Sequence, residues 1–221
     1  MNNCLLCESL LDEKLTFCDL LTLTKPKARA CDTCFEKFQR ISGQHCPKCY
    51  RDGASEVCMD CQVWIEKGKE VCHKSCFVYN EAMKDFFSQY KFQGDYALYS
   101  VFAEVLQKEL KVYRDYTLVP IPVSSEKYQK RGFNQVTALL EGAQLPFKEV
   151  LEKHDTIAQS SKTREERLQS RQCFKLKDNV QLPPKILLID DIYTTGSTLQ
   201  LAKEILVEAG VKEIVTFSLA R

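Results

Sequence analysis

The sequence lacks membrane-spanning and targeting signals, and its net charge is small. It has no run of about 20 apolar residues, the length that crosses the hydrocarbon core of a bilayer, and its N-terminal leucines lack the basic segment of a signal peptide. We therefore expect a cytoplasmic protein with no membrane span. The 221 residues carry a formal net charge of only +1, so any surface that attracts nucleic acid must be local.

Cysteine is nearly missing from the second part of the chain. Eleven of the twelve cysteines lie between Cys4 and Cys76, and only Cys173 follows. Apolar periodicity is distributed the other way, weak before Phe77 and clear after it. These shifts predict a cysteine-rich domain at 1–77 and a second domain at 78–221.

Four C-x-x-C pairs dominate the cysteine-rich part: Cys4/Cys7, Cys31/Cys34, Cys46/Cys49 and Cys58/Cys61. Two intervening residues let both sulfurs reach one ion from a tight turn, and four thiolates complete the shell of a structural zinc ion. Joining sequence neighbours gives a double zinc ribbon, whereas a cross-braced arrangement exchanges the second and third pairs. The pattern predicts one or two structural zinc ions. Free or redox-active thiols are the alternative.

Helices and strands alternate in the second part. Helical periodicity covers 80–90, 95–112, 134–140 and 197–209, and short apolar runs predict strands at 116–121, 147–151, 185–189 and 211–219. Such alternation is typical of an α/β domain whose mostly parallel sheet is flanked by helices.

A polar loop follows the strand predicted at 185–189. Asp190 and Asp191 stand at the carboxyl end of the strand, where open α/β sheets bind ligands. A Thr/Gly/Ser-rich turn then leads into a helix whose N-terminus favours an anion. The two carboxylates can accept hydrogen bonds from adjacent ribose hydroxyls while the turn holds a phosphate. The turn matches neither the G-x-x-x-x-G-K-[ST] nor the G-x-G-x-x-G pattern.

This element closely resembles the phosphoribosyl pyrophosphate signature of type I phosphoribosyltransferases. By that resemblance Asp190 and Asp191 hold the ribose hydroxyls, and the 5-phosphate is held by Thr194, Thr195, Gly196, Ser197 and Thr198. Three further segments, Tyr90–Asp95, Val119–Val123 and Arg131–Gln135, resemble motifs of the ComF family in the same order. The match covers nearly the whole chain, including the cysteine-rich part before a phosphoribosyltransferase-like domain.

Membership of the ComF family implies a role in DNA uptake during natural transformation. The resemblance implies partnership with a ComFA-type helicase, and single-stranded DNA is the expected cargo. An active phosphoribosyltransferase, with Mg²⁺ neutralising the pyrophosphate, is the second hypothesis. It lacks an identifiable acceptor site. A zinc-ribbon interaction module with a vestigial second domain is the third.

Basic residues supply the remaining candidates. Lys91 could meet the pyrophosphate, and Arg131 follows Lys127 and Lys130 in a predicted loop that could cover a ligand. Lys162, Arg164, Arg167 and Arg171 could contact DNA phosphates, although an exposed salt-bridged helix explains their spacing as well. Gln159 and the segment 160–164 loosely match a basic segment of the family.

Overall fold

The computed structural model describes residues 3–11, 29–93, 95–154 and 173–221, and the account that follows concerns those residues. In this part of the chain, no helix is both long enough and apolar enough to cross a membrane. The predicted basic segment, with Lys162, Arg164, Arg167 and Arg171, lies outside the described residues, as does Gln159.

A four-stranded, fully parallel sheet organises the chain. Its strands are β1 (His73–Phe77), β2 (Thr117–Pro120), β5 (Lys185–Ile192) and β6 (Glu213–Ala220), in the order β1-β6-β5-β2. All three neighbouring pairs run parallel. The structure therefore confirms the predicted α/β class with a mostly parallel sheet.

The two central strands are buried almost throughout, as expected for a parallel sheet covered on both faces. The described helices are α1 (Asp32–Phe35), α2 (Met59–Glu66), α3 (Glu81–Ser88), α4 (Ala103–Leu110), α5 (Ser125–Arg131), α6 (Gln135–Gly142) and α7 (Ser197–Glu208). Helix α7 connects β5 to its parallel neighbour β6, which confirms the predicted βαβ unit.

Short segments account for the rest of the regular structure. Gln89–Gln93 is a π-helical turn, and Tyr96–Ser100 and Lys111–Tyr113 are 3₁₀ turns. The predicted helix at 95–112 is therefore divided, and only Ala103–Leu110 is α-helical. Residues Lys127–Arg131, predicted as a loop, belong to helix α5, which Ser124 caps by accepting a hydrogen bond from the Lys127 N–H.

Two strands differ from the sequence prediction. Residues 147–151 do not form a strand of the main sheet, although a single bridge joins Phe147 to Leu118. Instead β3 (Leu151–Lys153) and β4 (Phe174–Leu176) form a separate antiparallel pair. Strand β1, which precedes the boundary predicted near Phe77, pairs with β6 in the main sheet. The division into two domains itself stays a prediction.

Candidate functional site

Strand β5 carries the predicted acidic pair to the carboxyl edge of the sheet. Asp190 and Asp191 are both buried. The Asp190 carboxylate accepts a hydrogen bond from the Asp191 N–H at 2.9 Å, and the Asp191 carboxylate accepts one from the Ile192 N–H at the same distance. These bonds to the strand's own backbone hold both side chains in fixed positions.

Lys91 reaches this edge from a distant part of the chain. It lies in the π-helical turn after α3, and its ammonium forms an ion pair with the second oxygen of Asp191. The ammonium also lies 4.5 Å from the centre of the Phe87 ring. The structure thus brings together three of the predicted ligand-binding residues, two acids and one base, although a ligand bound to them stays a prediction.

Arg131 is linked to the acidic pair through Lys91. Its Nε donates to the Lys91 carbonyl at 3.1 Å, and one of its terminal nitrogens donates to the Gln135 side chain. Tyr90 donates to the Gln135 carbonyl at 2.9 Å, which ties the π-helical turn to α6. Burial lowers the pKa of Arg131, partly offset by the charge of Asp191.

The two carboxylates differ in their electrostatic environment. Burial, followed by the neighbouring charge of Asp191, holds the pKa of Asp190 well above the ordinary range for an aspartic acid. Lys91 forms its ion pair with Asp191. A sugar hydroxyl or a cation arriving at Asp190 would therefore meet a carboxyl group that lacks a basic partner of its own among the described residues.

The loop after β5 has the shape of an anion site. Thr194, Thr195 and Ser197 are exposed, Thr198 is half-buried, and the Thr195 and Ser197 hydroxyls lie 2.9 Å apart. Gly196 adopts φ +81° and is the N-cap of α7, which begins at Ser197. A Cβ at Gly196 would lie 2.2 Å from the Tyr193 hydroxyl, so only glycine fits this backbone. The predicted phosphate loop therefore leads directly into a helix N-terminus.

The eight paired cysteines form two tetrahedron-like groups. Their sulfurs cluster as Cys4, Cys7, Cys31 and Cys34, and as Cys46, Cys49, Cys58 and Cys61, with all sulfurs in a group within 4.8 Å of one another. The sets join sequence neighbours, as the simpler prediction has it, and the cross-braced arrangement is not found. A tetrahedral zinc ion with Zn–S bonds of about 2.3 Å requires sulfurs about 3.8 Å apart.

Observed spacings fit that requirement. Cys7 and Cys31 sulfurs are 3.7 Å apart, and those of Cys46 and Cys61 are 3.9 Å apart. Each group can hold one zinc ion by its four sulfurs, and a closed shell of this kind stabilises the fold rather than catalysing a reaction. The second group is the more buried, since Cys46, Cys49 and Cys61 are 0% exposed whereas Cys7 is exposed.

Two residues that sequence reasoning missed contact the loop. The Trp64 indole N–H donates to the Thr195 carbonyl at 2.8 Å, and Arg221 donates to the Thr194 carbonyl at 2.8 Å. Both bonds end on backbone oxygens, which every residue type has. The sequence therefore holds no signal for them.

His73 of β1 is buried among hydroxyl groups of the sheet. Its ring nitrogens bond the Thr216 hydroxyl at 2.8 Å and the Ser75 and Ser218 hydroxyls at 2.8 and 3.0 Å. Burial, followed by the charge of Arg221, lowers the pKa of His73 well below its ordinary value.

A cavity of about 600 Å³ lies beside Arg131. Its lining includes the exposed side chains of Tyr96 and Tyr128. Its remaining lining includes Phe133, Asn134, Thr137 and Glu141. A flat ligand could stack in such a cavity.

Comparison with known proteins places this arrangement in a family. No protein-family model matches the chain. It is 48% identical to Competence protein ComFC of Streptococcus pneumoniae over 218 residues, which cover 99% of each chain. It is 37% identical to Competence protein ComFC of Bacillus subtilis over 227 residues, covering 99% of this chain and 94% of that one. Competence protein F of Haemophilus influenzae is 24% identical over 207 residues, 86% of this chain and 84% of that one.

Among solved structures, a hypoxanthine phosphoribosyltransferase from Staphylococcus aureus matches 59% of this chain and 65% of that one, with 15% identity and a TM-score of 0.34. At that TM-score the likeness supports no argument about function. The sequence relatives show the family, because two of them match nearly the whole chain at 48% and 37% identity. This chain belongs to the ComF family of competence proteins.

Proposed function

We propose that this competence protein acts in DNA uptake during natural transformation by binding phosphoribosyl pyrophosphate or a related ribose 5-phosphate. One observation carries the proposal: a buried acidic pair at the end of β5 stands directly before a loop that opens onto the N-terminus of α7. The proposed place of action is the cytoplasm, where thiols stay reduced and the cysteine groups can hold zinc.

Each group has a defined part in this proposal. Asp190 and Asp191 accept hydrogen bonds from two adjacent ribose hydroxyls. The 5-phosphate lies in the loop from Thr194 to Thr198, where hydroxyls, backbone N–H groups and the helix dipole favour an anion. Lys91 shares its charge between Asp191 and the pyrophosphate, and Arg131 supports Lys91 through its carbonyl. Mg²⁺ would accompany the ligand and offset the pyrophosphate charge.

Calorimetry with phosphoribosyl pyrophosphate and Mg²⁺ tests the proposal. We expect zinc-loaded wild-type protein to bind and the double change Asp190→Asn with Asp191→Asn to abolish binding. The matched control is Asp85→Asn with Asp115→Asn, which removes two exposed carboxylates elsewhere and should leave binding intact. Absence of binding by folded wild-type protein would contradict the proposal.

Binding of single-stranded DNA and of a ComFA-type helicase completes the proposed role. The net charge of +1 leaves DNA binding to a local basic surface, and the segment with Lys162, Arg164 and Arg167 is the candidate. Neutralising these three residues should weaken single-strand binding and reduce its dependence on salt. Unchanged binding after the triple change would remove this segment from the proposal.

An active phosphoribosyltransferase is the second candidate, favoured by the aromatic-lined cavity beside Arg131. An acceptor stacked on the exposed ring of Tyr96 or Tyr128 would lie beside Arg131. Release of pyrophosphate that depends on an added acceptor and disappears in the double aspartate variant would establish turnover. Ligand binding without such release would leave binding as the function.

A further inference from the structure

The second cysteine group, Cys46, Cys49, Cys58 and Cys61, is connected to the candidate phosphate loop by a short path. Cys58 is the N-cap of α2, and Cys61 lies in its first turn. Trp64, one turn further, donates its indole N–H to the Thr195 carbonyl at 2.8 Å. Helix α2 thus carries two cysteines of the second group at its start and, one turn later, a side chain that bonds the loop.

Arg221 makes a second connection between the same two places. One terminal nitrogen donates to the Thr194 carbonyl at 2.8 Å. The other lies 3.3 Å from the Asp60 carboxylate and 3.6 Å from the Cys58 sulfur. Its guanidinium stacks over the Tyr193 ring at 4.5 Å, and its side chain is only 5% exposed. An arginine buried in this way has a fixed geometry, because its fork of donors is planar and rigid.

The two bonds determine which way the loop's N–H groups point. Across a planar trans peptide, the carbonyl of one residue and the N–H of the next point in opposite directions. Holding the Thr194 and Thr195 carbonyls toward Arg221 and Trp64 therefore turns the Thr195 and Gly196 N–H groups to the opposite side. Among the described residues, neither N–H has a backbone partner. Two such donors at a helix N-terminus are what a phosphate requires.

We propose that Trp64 and Arg221 are positioning residues that orient the phosphate loop, and that zinc in the second cysteine group sets the affinity of the loop for its ligand. This inference rests on the proposed function for its ligand, a ribose 5-phosphate compound. Its structural part, the ordering of the loop, can be measured without any ligand. The first cysteine group has no such connection to the loop among the described residues.

Three variants test the positioning role. Trp64→Phe keeps an aromatic ring but removes the donor, and Arg221→Met removes the fork while keeping an apolar stem over Tyr193. Arg51→Met is the matched control, because Arg51 also pairs with Asp60, at 3.5 Å, but makes no contact with the loop. Zinc content should be the same in all three variants.

¹⁵N NMR relaxation of the Thr195 and Gly196 amides is the first measurement. We expect their order parameters to fall from about 0.85, typical of rigid backbone, to below about 0.6 in Trp64→Phe and Arg221→Met, and to keep wild-type values in Arg51→Met. Arg221→Lys, which keeps the charge but loses the fork, should not restore the order. Wild-type order parameters in both positioning variants would overturn the inference, whether or not the protein binds a ligand.

Calorimetry with phosphoribosyl pyrophosphate and Mg²⁺ is the second measurement. We expect about tenfold weaker binding in the two positioning variants and unchanged binding in Arg51→Met. Equal affinity in all variants would overturn the inference, whereas no binding by wild type would count against the proposed function alone.

The fluorescence of the single tryptophan, Trp64, tests the link to zinc. We expect stepwise removal of zinc by a chelator to shift its emission and to lower the order parameters of the Thr195 and Gly196 amides together. Zinc loss from both groups without either change would overturn the link.

Discussion

The neighbouring carboxylates Asp190 and Asp191 differ in their electrostatic surroundings, although both are buried aspartic acids. Burial and the charge of Asp191 raise the pKa of Asp190, so its ionised form is disfavoured in the folded protein. Asp191 has the ion pair with Lys91, whose side chain is only 15% exposed. Replacing Asp190 with asparagine should therefore stabilise the protein, and replacing Asp191 with asparagine should destabilise it.

We predict that Asp190→Asn raises the free energy of unfolding at neutral pH, because a raised carboxyl pKa means stability is lost as pH rises above the unfolded value near 3.9. An asparagine oxygen can still accept from the Asp191 N–H. The gain should fade as the pH falls below about 3.9, where Asp190 becomes protonated in the unfolded state as well as in the folded one. Urea unfolding across this pH range measures it, and a loss of stability at neutral pH would contradict it.

Asp191→Asn should instead destabilise the protein by about 2 kcal/mol, because it leaves the half-buried ammonium of Lys91 without its carboxylate. Adding Lys91→Met to this change should recover part of the loss, since the unpaired charge is then removed. The same urea titration measures both variants. A double variant no more stable than Asp191→Asn alone would show that the ion pair is not the cause.

Gly196 and Gly210 allow the cost of a side chain in the loop to be separated from the cost of its backbone angle. Both have positive φ, +81° and +90°, but a Cβ at Gly210 meets nothing within 4 Å, whereas one at Gly196 meets the Tyr193 hydroxyl at 2.2 Å. Gly210→Ala should cost about 1 kcal/mol. Gly196→Ala should cost at least about 2 kcal/mol and also weaken ligand binding. Equal losses of thermal stability in the two variants would contradict this prediction.

At the residue scale, the acidic pair and its loop could be predicted because they are contiguous in sequence. Trp64 and Arg221 could not, since their partners lie 131 and 27 positions away and are backbone carbonyls. Lys91 was predicted from its segment, but its pairing with Asp191 depends on how the π-helical turn packs against the sheet.

Among the elements, the two cysteine groups differ in what surrounds them. The second packs with Val71, Tyr193 and Leu199 in the core that also takes in β5 and α7. The first lies beside Leu5, Leu6 and Phe35, which are only partly buried against the other core. Loss of a ligand should therefore matter more in the second group.

We predict that Cys49→Ser lowers the melting temperature by about 4–8 °C, the equivalent of about 2 kcal/mol in a chain of this size. Cys7→Ser, at an exposed ligand of the first group, should lower it by clearly less. Zinc content, measured alongside, should fall by one ion in each variant. A larger loss of stability in Cys7→Ser would reverse the assigned importance of the two groups.

Element boundaries show where periodicity stops being informative. The helix predicted at 95–112 is divided because Asp95 caps a 3₁₀ turn by accepting from the Ala97 N–H. The strand predicted at 147–151 overlaps β3 only at Leu151, and β3 pairs with β4, a pairing that a short apolar run does not reveal. The prediction covers β6 nearly in full and the apolar first part of β5, because long apolar runs between turn signals have few other interpretations.

In the molecule as a whole, the second cysteine group and the sheet share one core, and Arg221 and Trp64 join them. Zinc release from that group and unfolding of the sheet should therefore be a single transition. We predict that in urea the release of the last zinc ion, followed with a chromogenic chelator, coincides with the loss of far-ultraviolet circular dichroism. Earlier release of a zinc ion from the first group is compatible with this prediction. Release of both ions well before the sheet unfolds would show a separable domain.

The position of β6 has a consequence for the synthesis of the protein. Strand β6 lies between β1 and β5, and its contact with β1 joins His73 to Thr216 across 143 positions. A ribosome delivers β1 long before β6, so β1 waits without its neighbour while most of the chain is translated. A nascent chain interrupted before Glu213 would leave the facing backbone edges of β1 and β5 without their shared partner and be open to chaperones and proteases. Closure of the sheet is thus delayed until β6 has left the ribosome.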